Sequence, residues 1–150
     1  IFHDSDVGQW DFGKSSLQCG RRTDAVKTWF AWRASGRAGM EEHIDGLMGM
    51  AQEAASLIAQ DPRFQLVAAP ASLNVCFKLR TAPEAPNADW YRSIRERLMQ
   101  EGRFMVNMAT RGGESFIRLI VVNPDLDVPT LASFLNDLAR VAETKLKSPG

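Results

Sequence analysis

Phe104-Met105-Val106-Asn107-Met108-Ala109-Thr110-Arg111-Gly112-Gly113-Glu114-Ser115-Phe116-Ile117-Arg118-Leu119-Ile120-Val121-Val122 decides how this chain folds. Two largely apolar runs flank a short polar segment, Thr110 to Glu114, that contains paired glycines. Glycines side by side can hold two successive residues at positive φ, as a tight hairpin requires. The pattern predicts strands over residues 104–109 and 115–122. Asn123-Pro124 ends the second, because proline has no N–H to give a ladder.

Working outward, residues 64–68 and 74–80 are short and rich in Val, Leu and Phe, which predicts two more strands with Pro70 in the turn between them. Residues 81–86 carry two prolines and read as a loop. Asn87 can cap a helix running through Glu101, with Trp90, Ile94 and Leu98 inward and Gly102 as its stop. Asp127 to Thr130 opens a last helix carrying Leu131, Phe134, Leu135, Leu138, Val141 and Leu146. From Phe64 on, the order is β, β, α, β, β, α. That order predicts an α+β fold, a small, mostly antiparallel sheet with helices on one face.

The part before Phe64 is different. Residues 1–14 lack periodicity and read as a loop broken by Gly8 and Gly13, with Trp10 and Phe12 available to pack on a partner surface. A helix is predicted over residues 22–35, with Gly36 and Gly39 ending it. A second is predicted over residues 40–59, where Met40, Ile44, Leu47, Met48, Ala51, Ala55 and Ile58 keep a three-four rhythm. Gly46 and Gly49 lower its propensity and suggest close approach of another helix. Asp61-Pro62 stops it. The tryptophans and methionines at helical spacing read as core.

The 150 residues suit one domain, or a domain plus a fragment, and at 45% hydrophobic they can bury a core. Lys+Arg 18 against Asp+Glu 18 leaves no net charge to attract nucleic acid or a membrane surface. No apolar run approaches the roughly 20 residues of a membrane helix, and no secretory signal is expected. Cys19 and Cys76 allow one disulfide, but read more readily as reduced thiols of a cytoplasmic protein. No metal-ligand spacing or nucleotide loop occurs.

Arg118 is the sharpest anomaly. It shares a strand face with Phe116, Ile120 and Val122, while Ile117, Leu119 and Val121 take the other. A cation fixed on an apolar strand needs a partner. The candidates are an internal ion pair, a snorkelling edge position, or a carboxylate from outside held by two parallel hydrogen bonds. Cys19 has no histidine close in sequence, which argues against a nucleophile. His43 reads as a surface residue of its helix.

Gln18-Cys19-Gly20-Arg21 resembles the Gln-Cys-Gly-Arg segment of group II pyridoxal-phosphate (PLP) amino-acid decarboxylases, closest to the branch acting on acidic substrates. Asp11-Phe12-Gly13-Lys14, Glu41-Glu42-His43-Ile44-Asp45, Asp61-Pro62-Arg63-Phe64, Asn74-Val75-Cys76-Phe77 and Phe116 to Pro124 are similar to further segments of the family. The resemblance implies the C-terminal portion of a fold-type-I PLP enzyme. Residues 1–38 would be the tail of the large cofactor domain, a mobile-loop remnant and a connecting helix. Residues 39–150 would be the small C-terminal domain.

It also implies roles. Arg118 would bind a carboxylate of the substrate, and Gln18, Cys19 and Gly20 would line the pocket of the neighbouring subunit in a homodimer. The cofactor would be pyridoxal 5'-phosphate, and the substrate glutamate, cysteine sulfinate or aspartate. The family's Schiff-base lysine follows a histidine, and no His-Lys pair occurs in this sequence. Tyr91 does not match the family's loop tyrosine. The expectation is therefore that the chain starts inside the mobile loop, contains no catalytic residue of its own and is inactive without an upstream part. The alternatives are a non-catalytic α+β interaction domain, or the same family with a basic or aromatic substrate.

Overall fold

The computed structural model describes residues 24–80 and 87–147, with the side chains of residues 146 and 147 left aside. The chain divides into two compact units, Ile1–Glu42 and His43–Gly150.

The described part of the first unit is the beginning of helix α1, Asp24–Gln60. Thr28 donates to the Asp24 carbonyl at 2.9 Å, and Arg37 pairs with Glu41 at 2.8 Å across one turn. The break predicted at Gly36 is present as a kink within α1, where φ of 64° and ψ of −173° are not helical. Gly36 breaks the helical path because it can take that conformation, and helical geometry resumes at once, through Gly39. The expectation that the tryptophans here are core is overturned. Val26, Trp29, Phe30 and Trp32 are 50–61% exposed. Periodicity defined a stripe on the helix, but it does not supply what covers the stripe.

In the second unit, the later turns of α1 bury Leu47, Ala51, Ala54, Ala55 and Ile58. Among the described residues no helix approaches Gly46 or Gly49: nothing lies within 4 Å of where a Cβ would stand at either. His43 is exposed, as read from the sequence.

Four strands follow: β1 (Phe64–Leu66), β2 (Asn74–Leu79), β3 (Asn107–Arg111) and β4 (Glu114–Ile120). They form one antiparallel sheet in the order β1-β2-β4-β3. The β3–β4 turn is tighter than predicted. Gly112 and Gly113 both have positive φ, 60° and 82°, and Arg111 already opposes Glu114. The loop is thus two residues, and its paired positive φ matches the right-handed twist of the strands.

Helix α2 (Ala88–Gln100) joins β2 to β3, and α3 (Val128–Lys147) closes the unit. Asn87 caps α2 as predicted, accepting from the Trp90 N–H at 2.9 Å. Gly102, at φ 68°, follows the Glu101 C-cap. Val75, Phe77, Leu79, Ile117 and Val121 of the sheet segment pack with Tyr91, Ile94 and Leu98 of α2 and with Leu131, Leu135, Leu138 and Ala142 of α3. One face of the sheet is therefore the core, with helices packed on it as the β, β, α, β, β, α order predicts.

Polar pins hold the helices in register. Asp137 on α3 is nearly buried and meets Arg103 at 3.2 Å and Arg140 at 3.3 Å; Arg140 also reaches Glu101 at the end of α2. Just beyond α1, Asp61 grips Arg63 through both carboxylate oxygens, and Arg63 continues to Asn136 on α3 at 2.8 Å. The hydrogen bond from the Arg63 side chain holds the Asp61 carboxyl below its ordinary pKa. A carboxyl whose folded pKa is lowered stabilises the fold above its unfolded value and stops doing so as pH falls through the folded value. Denaturant midpoints measured from neutral pH downward should therefore fall below about pH 4. Asp61→Asn should start lower and lose part of that acid slope; an unchanged slope would mean that this pair does not contribute.

Candidate functional site

The face of the sheet away from the core carries the candidate site. Along β4 the residues that alternate with the core positions are Phe116, Arg118 and Ile120. Arg118 is directly opposed by Cys76 on β2 and by Asn107 on β3, so it stands mid-sheet and not at an edge. It is half-buried. Its Nε is buried and has no hydrogen-bond partner among the described residues. No described carboxylate pairs with it, whereas Lys78, two residues from Cys76 on the same face, is paired with Glu114 at 2.7 Å.

That arrangement matters electrostatically. Phe116 is 8% exposed, and it flanks the guanidinium along the strand with Ile120 on the other side. Apolar neighbours keep water away and strengthen any charge-assisted bond formed there. A guanidinium so placed can receive a carboxylate on two parallel N–H groups.

Gln18, Cys19 and Gly20 lie outside the described residues. Cys76 is a free, half-buried thiol. Sequence reading singled out Arg118 but missed its two cross-strand neighbours, Cys76 and Asn107. The turn held the signal: once Gly112 and Gly113 are taken as a two-residue loop, counting back from Arg111 opposite Glu114 brings Asn107 opposite Arg118.

Two clefts lie elsewhere in this unit. One of 430 Å³ between α2 and α3 is lined in part by Arg97, Glu101, Arg140 and Lys145. Arg97 and Arg140 there are engaged by Glu101, whose carboxyl they hold below its usual pKa, Arg140 most strongly. The other, of 260 Å³, is mainly apolar and includes Phe104, Leu119, Ile120 and Phe134. Arg118 lines neither of them.

Comparison with known proteins bears on this geometry. Human cysteine sulfinic acid decarboxylase is 32% identical over 144 residues, covering 89% of this chain and 29% of its own length. L-aspartate decarboxylase dtxS4 of Metarhizium robertsii is 33% identical over 150 residues, covering 95% of this chain and 30% of its own. The crystal structure of mouse CSAD superposes with a TM-score of 0.72 at 29% identity, over 94% of this chain and 31% of that one. The chain thus spans about a third or less of the length of these relatives. The α+β fold is that of the C-terminal part of such enzymes. Residues 1–80 match the model of the pyridoxal-dependent decarboxylase conserved domain, and with more than half its length so matched the chain belongs to that family.

Proposed function

We propose that this chain is the C-terminal portion of a pyridoxal-phosphate-dependent L-amino-acid decarboxylase for an acidic substrate, in which Arg118 holds a substrate carboxylate. The observation that supports this most is a half-buried guanidinium, mid-sheet, with an unpartnered Nε and no acid paired with it among the described residues. Relatives named for cysteine sulfinate and aspartate favour an acid over a basic or aromatic substrate. In this reading residues 1–38 belong to the large domain and residues 39–150 form the small one. Gln18, Cys19 and Gly20 then face the pocket of the second subunit of a homodimer.

The family's cofactor supplies an electron sink for the carbanion left by CO2 loss. The described residues do not fit that cofactor: Lys27 is exposed beside Asp24, Lys78 is paired with Glu114, and Lys145 is exposed. In this proposal the Schiff-base lysine, which in the family follows a histidine, belongs to another part of the enzyme, since the sequence contains no His-Lys pair. What this chain contributes is binding and orientation of the anionic end of the substrate.

The test is to assemble the chain with the lysine-bearing part and follow PLP absorbance and CO2 release. Glutamate, cysteine sulfinate or aspartate should be turned over and 2,4-diaminobutyrate and tryptophan should not. Turnover confined to the basic or aromatic substrate would replace the acidic assignment, and none from a complex that binds PLP would reject the function.

A further inference from the structure

One row crosses three strands on the sheet face away from the core: Cys76 on β2, Arg118 on β4 and Asn107 on β3. Directly opposed residues of antiparallel strands project to the same side, with Cβ atoms roughly 4.5–5.5 Å apart. Arg118 therefore has Phe116 and Ile120 along its strand, a thiol on one side and a carboxamide on the other. Only the carboxamide offers both strong donors and an acceptor. Asn107 is exposed and makes no side-chain hydrogen bond among the described residues.

A neutral amide next to a guanidinium has a particular consequence. It can share an anion with the cation, but it cannot discharge the cation itself. An aspartate of the same shape would do the opposite, closing an internal ion pair and consuming the charge.

From this juxtaposition we propose that Asn107 is a positioning residue for the anion Arg118 binds. The guanidinium takes both oxygens of a carboxylate or sulfinate, and the Asn107 amide N–H donates to one of them from the adjoining strand. A carboxylate oxygen has lone pairs for both bonds. The second donor fixes the tilt of the anion about the guanidinium axis, which the fork alone leaves loose. The inference rests on the role proposed above for Arg118.

The experiment uses the full 150-residue chain, ¹⁵N-labelled, and reads the Arg118 Nε–H resonance, with glutarate as the anion probe. In Asn107→Asp that resonance should move without any ligand. It should also follow the titration of a carboxyl whose midpoint lies below the usual value of about 3.9, because the guanidinium favours the charged form. The apparent glutarate affinity should fall at least about tenfold in that variant and about three- to tenfold in Asn107→Ala. Asn107→Gln should recover part of the loss, and in the assembled enzyme Asn107→Ala should raise KM more than it lowers kcat. If Asn107→Asp leaves both the resonance and the glutarate response unchanged, Asn107 is out of reach and the inference fails while Arg118 keeps its role. If glutarate does not move the Arg118 resonance even in the unaltered chain, the role of Arg118 fails and this inference with it.

Discussion

Arg118→Ala should lower kcat/KM of the assembled decarboxylase by about 30- to several-thousand-fold, the equivalent of about 2–5 kcal/mol for removing one partner of a desolvated charge pair. The same change should hardly move the denaturation midpoint. No described acid pairs with Arg118, so its removal strands no described carboxylate in the interior. A cation held by an internal acid would behave differently, since breaking a buried pair costs about 3–5 kcal/mol of stability. Urea unfolding and steady-state kinetics on one preparation separate the two. Arg118→Lys sharpens the comparison, because it keeps the charge and loses the planar fork. It should recover only part of the activity. A large loss of stability with activity intact would make Arg118 a structural residue and remove the chemical basis of the proposed function from these residues.

Phe77→Ala should be the most damaging single change to the fold. Phe77 is fully buried on β2, opposite Leu66 on one side and Ile117 on the other. Its ring meets Phe64 edge to face, 5.5 Å between centroids. Truncating a buried phenylalanine costs about 3–5 kcal/mol through lost burial and the cavity left behind. Total stabilities of such domains are about 5–15 kcal/mol, so much of the margin would be gone. Equilibrium urea unfolding gives the number. Gln65→Ala is the control, an exposed position between two core residues of β1, and it should stay within about 0.5 kcal/mol. Equal effects at the two positions would mean that the assigned core face is wrong.

The ease of reading α2 and the difficulty of reading β3 have physical reasons. Asn87 and Gly102 bracket α2 with side-chain and backbone chemistry that works locally, so its ends are visible in sequence. β3 was expected over residues 104–109 and runs Asn107–Arg111 instead. Thr110, Arg111 and Glu114 look like loop residues because they are polar. Here they lie at the hairpin end of the sheet, where all three are exposed and polar side chains cost little. Thr110 even finds Ser115 across the strands at 2.9 Å. The aromatic stripe of α1 shows the converse, since an amphipathic period states that a face is apolar and is silent about what meets it.

The sequence by itself determined the alternation of strands and helices, the expectation of helices on one face of a small antiparallel sheet, and the oddity of an arginine inside an apolar strand. These follow from side-chain period and backbone chemistry, which act over a few residues. Only the tertiary structure decided that Arg118 faces away from the core, with Cys76 and Asn107 beside it and no described acid to neutralise it. Which strands lie side by side, and in which register, is set by how distant segments share one core, and a one-residue slip would turn every side chain of a strand to the opposite face.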